Sequence, residues 1–206
     1  MGKILSPIGK MSRREGIDLR GGSKSPLTRR PFPPGVHGPK YMKRKPRLSG
    51  FGLQLREKQK AKRLYDVRER QFRNYFEKAV KRRGNTSDYL MELLETRFDN
   101  VVYRLGLAKT RRQARQMVSH RFFTVNGTVT NIPSFTVKIG DEIAMRENKQ
   151  KKKGVEFMTT SLGKGTLPSW LSVDKGTLTG KVTSLPKPED TEKLFDPGLI
   201  VEFYSR

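Results

Sequence analysis

Cysteine is absent from the 206 residues, which excludes disulfides, thiolate metal sites and a cysteine nucleophile. Histidine is nearly absent. His37 and His120 stand far apart, and two isolated imidazoles without a thiolate make no metal-ligand set. No apolar run approaches the ~18 residues that a membrane-spanning helix needs, and the opening MGKILSPIGKMSRREG lacks the apolar core of a secretory leader. The basic residues lie in loops and several helices rather than along one amphipathic stripe, so no membrane partner is expected. Acid is scarce too: 20 Asp+Glu face 44 Lys+Arg, a net charge of +24. Residues 1–83 alone hold 25 basic and 6 acidic side chains. Such self-repulsion favours a polyanionic partner, nucleic acid first. Only 33% of the residues are hydrophobic, so the core is small and part of the chain is expected to order on its partner.

Residues 1–50 read as a basic N-terminal arm, because RRPFPPGVHGPKYMKRKPRLSGFG is too rich in Pro and Gly for regular structure. Phe32, His37, Tyr41 and Phe51 supply flat groups able to stack on bases. Residues 51–95 read as a helical domain. One helix is expected over about 53–64 and, after Tyr65-Asp66, a second on which Phe72, Tyr75, Phe76, Ala79 and Val80 recur at helical spacing, with Gly84 placed to end it. Thr86 is placed to cap the next helix, where Leu90, Leu93, Leu94, Phe98, Val101, Val102 and Leu105 form one stripe ending at Gly106. Residues 96–206 read as an α/β domain. Thr110 caps a short helix, with Gln113 completing a capping box. Strand signals follow in FFTVNG, TVT and FTVKIGDEIAM. Asn126-Gly127 marks a hairpin, and Ile139-Gly140-Asp141 another turn. Trp170 is read as a core or docking residue, and the closing LIVEFYSR as a strand returning to the sheet. The fold class expected is α+β: the arm, the helical domain, and a helix-helix-hairpin RNA-binding module (about 97–160) on a small, mostly antiparallel sheet.

Arg111 and Arg115 stand four apart on one helix, where like charges cost about 0.2–0.5 kcal/mol. Left unneutralised, they make sense if phosphates approach that face and accept bidentate contacts. Removing both charges is then expected to stabilise the free protein and weaken RNA binding. Arg112, His120 and Arg121 extend the same surface. Lys58, Lys62, Arg63, Arg70 and Arg73 decorate the preceding helices in excess of what solubility requires. Arg13 and Arg14 belong to the basic arm. Ser119 beside His120 lacks a third orienting group for nucleophilic catalysis, and the glycine-rich pieces match no phosphate-binding loop.

The stretch RFDNVVYRLGLAKTRRQARQMVSHRFFTVNGTVTNIP (97–133) resembles the RNA-binding module named after small-subunit ribosomal protein four. That module also occurs in pseudouridine synthases, tyrosyl-tRNA synthetases and heat-shock RNA-binding proteins. SRREGIDL (12–19), PPGVHG (33–38), KRKPRLSGFGLQLREKQKAKRLYDVRERQFRNYF (43–76), GNTSDYLMELLE (84–95), PSWLSVD (168–174) and LIVEFYSR (199–206) extend the resemblance, in order, to the bacterial and organellar family of that ribosomal protein. Membership implies a ribonucleoprotein constituent of the small ribosomal subunit in the cytoplasm, or in an organellar stroma or matrix. It implies binding to the 5′ domain of 16S rRNA, nucleation of 30S assembly, and translational accuracy shared with ribosomal protein five. It places Arg44, Lys45 and Arg47 near the mRNA entrance. No catalytic residue, cofactor or metal is expected. Gly9 and Ser12 stand where some members carry zinc-binding cysteines, Phe98 where the family has leucine, and Asp66 where it has glycine. The rivals are an RNA-modifying enzyme or an RNA chaperone using the same module, and a nonspecific cationic DNA-packaging protein.

Overall fold

The computed structural model describes residues 6–19, 25–43, 47–150, 167–174, 176–192 and 194–206. The chain forms two compact units: residues 1–90 with 192–206, and residues 91–191.

The first unit is helical. Its long elements are α4 (Gly50–Leu64) and α5 (Glu69–Val80), preceded by α1 (Ile8–Glu15), α2 (Pro26–Arg29) and α3 (Gly38–Lys43). Of the apolar spacing read from the sequence, Phe72, Tyr75, Phe76 and Ala79 are buried and form the core with Ala61 and Leu64 of α4, whereas Val80, the last residue of α5, is exposed. Ser49 opens α4 by accepting from the Gly52 N–H. At the other end the Val67 N–H reaches the Lys62 carbonyl and the Asp66 N–H the Arg63 carbonyl, the closure that normally places glycine at the left-handed position. Asp66 occupies it at φ 51°.

Two expectations fail here. Residues 1–50 are not a bare arm waiting for RNA. Met11 and Leu19 are buried, and Ser12 accepts from the Leu19 N–H at 3.2 Å. The Glu15 side chain is fully buried and ion-paired to Arg56 and Arg63 of α4. A carboxylate with two guanidiniums and two apolar anchors fixes α1 without a large apolar area. The closing LIVEFYSR is not a strand either. Residues Leu199 to Tyr204 of it lie in α10 (Pro197–Tyr204), which packs against α4 in the first unit. Asp196 accepts from the Gly198 N–H and Pro197 sits in the first turn, start signals that outweigh the β-branched pair Ile200-Val201. Stacking of Tyr204 on Phe76 at 4.8 Å, and of Phe203 against Phe51 at 5.5 Å, holds the helix. Each such aromatic pair contributes about 0.5–1.5 kcal/mol beyond its burial.

The boundary between units falls within α6 (Thr86–Glu95). That helix is capped by Asn85, whose side chain accepts from the Ser87 N–H, rather than by Thr86. The apolar stripe from Leu90 to Leu105 is split over two helices. α7 (Phe98–Arg104) starts afresh after Arg97, which leaves the helical path to bridge Thr136.

The second unit holds a five-stranded antiparallel sheet of β1 (Phe123–Val125), β2 (Thr128–Val129), β3 (Glu142–Met145), β4 (Leu171–Asp174) and β5 (Thr179–Val182), ordered β2-β1-β3-β5-β4. Asn126 and Gly127, at φ 49° and 78°, make the expected hairpin turn. Residues 135–138 form no strand beyond the single Thr136 bridge, and a four-residue helix, α9 (Glu147–Gln150), follows β3. Phe98, Val101, Val102 and Leu105 of α7 and Ala114 and Val118 of α8 (Arg111–Ser119) pack with Phe123, Ile143, Trp170 and Val182. Gly180 lets β5 approach closely in that contact, since a Cβ there would lie 2.6 Å from both Leu105 methyls and oblige that side chain to shift.

Candidate nucleic-acid interface

Helix α8 starts on its own capping chemistry. Thr110 accepts from the Gln113 N–H at 3.2 Å. Gln113 returns its side-chain oxygen to the Lys109 N–H, one residue before the partner a capping box would use. At the far end His120 is the C-cap. Arg121 takes the left-handed position at φ 60°, with the Phe122 N–H bonded to the Met117 carbonyl.

Between α7 and α8 lies a charged network. Asp99 accepts two bonds from Arg97, at 3.1 and 2.9 Å, and one from Arg115 at 3.2 Å. Arg97 is fully buried and Arg115 is 5% exposed. Glu95 accepts Arg104 bidentately at 2.9 and 2.7 Å and Asn100 at 2.7 Å. Asn100 in turn accepts from Arg111 at 2.9 Å, and the Arg111 guanidinium lies 4.5 Å from the centre of the Tyr103 ring.

The expectation for Arg111 and Arg115 is thereby corrected. Arg115 does not face solvent; Asp99, sixteen positions earlier, neutralises it inside the fold, so its repulsion with Arg111 needs no phosphate. The exposed side of α8 carries Gln116 and Ser119, with Arg112 half-buried above them. His120 and Arg121 are exposed beyond its end, and Arg146 donates to the Arg121 carbonyl at 3.3 Å. Of the basic residues expected to bind RNA in this unit, Arg112, His120 and Arg121 keep an outward position, Arg111 is held at the edge, and Arg115 is withdrawn.

In the first unit Arg13 donates to the carbonyls of Phe32 and Pro33 and stacks over the Phe32 ring at 5.0 Å. It ties local chain together. Lys58 is also withdrawn: its side chain is 8% exposed, bonded to Glu69 at 2.8 Å and 4.1 Å from the Phe203 ring centre. Lys62 shares Glu69, and Arg63 pairs with Glu15. Glu69 is held down near a pKa of about 2. Partial burial pushes it up, and hydrogen bonds from Lys58, Lys62 and Tyr204 overcome that push. Arg14, Arg47, Arg70 and Arg73 are exposed, Arg73 with a loose tie to Glu77 at 3.2 Å. Arg44 and Lys45 lie outside the described residues.

Sequence reasoning missed other exposed cations of this unit: Lys10, Arg29, Arg30, Lys40, Lys78, Lys81 and Arg83. One signal was available, since Lys10 and Arg14 repeat the four-residue spacing used for Arg111 and Arg115. Among the described residues there is no group of three or more His, Asp or Glu able to hold a metal, and no helix long and apolar enough to cross a membrane.

Known proteins resemble this chain over its whole length. Residues 3–95 match the family described as ribosomal protein S4/S9 N-terminal domain, and residues 96–143 match the S4 domain. The chain is 49% identical over 208 aligned positions to the small ribosomal subunit protein uS4 of Roseiflexus castenholzii, with all of both chains covered. It is 49% identical to that of Chloroflexus aurantiacus and 44% identical to that of Syntrophomonas wolfei, again over full length. With residues 3–95 matching the N-terminal domain, residues 96–143 the S4 domain and 49% identity over the full length of both chains, the chain belongs to the family of small ribosomal subunit protein uS4.

Proposed function

We propose that this protein is a structural constituent of the small ribosomal subunit that binds the 5′ domain of 16S rRNA, nucleates 30S assembly there, and contributes to translational accuracy beside ribosomal protein five. The observation that carries the reading is full-length identity of 49% to proteins named as small ribosomal subunit protein uS4. The charge layout supports it. The exposed cations of the first unit offer a broad surface to a phosphate backbone, and the RNA affinity follows from release of the counterions those phosphates hold. Arg14, Arg70 and Arg73 in the first unit and Arg112, His120 and Arg121 in the second are the proposed contacts. Arg47, with Arg44 and Lys45, is proposed to lie near the mRNA entrance.

Two experiments test this. In a lysate sedimented through sucrose, the protein travels with the small subunit; if it stays at the top of the gradient, the ribosomal assignment fails. In vitro, a transcript of the 16S 5′ domain binds in preference to a DNA duplex of equal length. About eight contacted phosphates give a slope of log K against log salt of about −6 to −7, whereas a slope near −1 removes phosphate neutralisation as the driving term.

A further inference from the structure

In the first unit, α1, the turn at Pro34–Gly35 and parts of α4 and α5 line a cleft of about 620 Å³. Pockets that hold small ligands span roughly 300–1,000 Å³. The lining is chemically divided. Pro7, Met11 and Pro34 supply apolar surface, while Lys10, Arg14 and Arg68 supply positive charge. The one carboxylate in the lining, Glu69, already accepts from Lys58 and Lys62 at 2.8 Å each, so it does not cancel the cations of α1. Lys10 and Arg14 are one turn apart on α1 and exposed, a spacing at which like charges repel. In the second unit the same spacing is resolved by Asp99. Here the neighbouring acid, Glu15, turns inward to Arg56 and Arg63, and among the described residues neither Lys10 nor Arg14 makes an ion pair.

We propose that this cleft holds one unpaired nucleotide of the bound RNA, its phosphate between Lys10 and Arg14 and its base against Met11, Pro7 and Pro34. The inference rests on the RNA-binding reading above and adds what chemistry the first unit recognises. A base within a duplex has no free face to offer, whereas an unstacked nucleotide presents a flat apolar ring and a charge together. The cleft carries the complement of both. A phosphate alone would leave the apolar wall unused, and an uncharged ring would leave the cations unanswered.

The test uses the full chain with its methionine methyls labelled with carbon-13, the Met11 signal being assigned through Met11→Leu. The probes are a pentaadenylate strand, an abasic ribose-phosphate strand of equal length and charge, and AMP. Pentaadenylate is expected to move the Met11 methyl resonance by ring current, and the abasic strand to leave it in place. Lys10→Gln with Arg14→Gln is expected to weaken both strands about tenfold at low salt and to flatten the salt slope by about one per lost phosphate contact. AMP, with the same base and a single phosphate, is expected to bind more weakly than the strand. Equal shifts from both strands overturn the base-binding claim, and AMP binding as tightly as pentaadenylate overturns the assignment to a strand nucleotide. If the 5′-domain transcript binds while Met11 stays still and the double variant binds like wild type, the cleft is wrong and the RNA reading stands. If wild type binds no RNA, both fall.

Discussion

Arg115 of the second unit and Arg73 of the first are both helical arginines paired with a carboxylate, yet their side chains are 6% and 70% exposed. Arg115 shares Asp99 with the buried Arg97 and holds α8 to the start of α7. Arg73 meets only Glu77 on its own helix, an exposed i,i+4 pair of the kind that contributes about 0.3–0.5 kcal/mol. Formal charge is therefore a poor measure of charge available to a partner. Asp99 and Glu95 of the second unit face inward and consume arginines in building the module. In the first unit, Glu15 and Glu69 neutralise Arg56, Arg63, Lys58 and Lys62, while Lys10, Arg14, Arg70 and Arg73 stay outside.

The sharpest way to break this contrast is Asp99→Ala. It removes the carboxylate that two buried guanidiniums share, and losing one partner of a buried pair costs about 3–5 kcal/mol. Trp170, the only tryptophan, is 1% exposed in the core of the second unit, so its fluorescence during denaturation reads that unit directly. A wild-type midpoint in this variant would show that the network carries no stability.

Acid offers a second test, within the first unit. Glu69 has a folded pKa of about 2, below its ordinary value of 4.5. The stabilisation it gives is complete above the ordinary value and is lost as pH falls from about 4.5 towards 2. Tyr204 donates to Glu69; its own pKa is raised, chiefly by burial and also by that carboxylate. Docking of α10 is therefore expected to weaken over this window, read by near-ultraviolet dichroism of the tyrosines. Glu69→Gln flattens that response, and because the carboxylate is 46% exposed the effect is smaller than for Asp99. An unchanged acid profile in Glu69→Gln would assign the transition to another carboxylate.

These effects mark where the sequence was legible. Helical periodicity located α4 and α5 within a few residues, because Ala61 and Leu64 of the one and Phe72, Tyr75, Phe76 and Ala79 of the other are buried at helical spacing. Thr110 and Asn126-Gly127 were readable because caps and tight turns are local chemistry. Asp99 and Arg115 were not, since the pair closes over sixteen positions between separate helices and the spacing of Arg111 and Arg115 alone suggested an outward face. The C-terminal helix is hidden for a related reason: Ile200-Val201 favours a strand locally, against the start signal of Asp196-Pro197. Residues 1–50 concealed α1 because its anchorage rests on Glu15 rather than on an apolar stripe.

A smaller effect concerns two closures built on non-glycine residues. Asp66 and Arg121 hold left-handed positions at φ 51° and 60°, a conformation that costs an L-residue roughly 1–2 kcal/mol. Glycine at either position is expected to raise the unfolding free energy by up to about 1 kcal/mol, the remainder being offset by greater freedom of the unfolded chain. Arg121→Gly is also expected to weaken RNA binding, whereas Asp66→Gly leaves it alone. Equal affinity losses in the two variants would remove Arg121 from the interface.

The distinction between built-in and available charge is tested most directly by comparing Arg115→Gln with Arg70→Gln combined with Arg73→Gln. For each, denaturation of the free protein and the salt dependence of its affinity for a 16S 5′-domain transcript are measured under conditions where all are folded. Arg115→Gln should lose stability while its salt slope stays at the wild-type value. The Arg70 and Arg73 pair should keep stability within about 0.5 kcal/mol and flatten the slope by about one per lost phosphate contact. If Arg115→Gln instead unfolds like wild type and flattens the slope, the guanidinium beside Asp99 serves RNA and not the fold, and the account is contradicted.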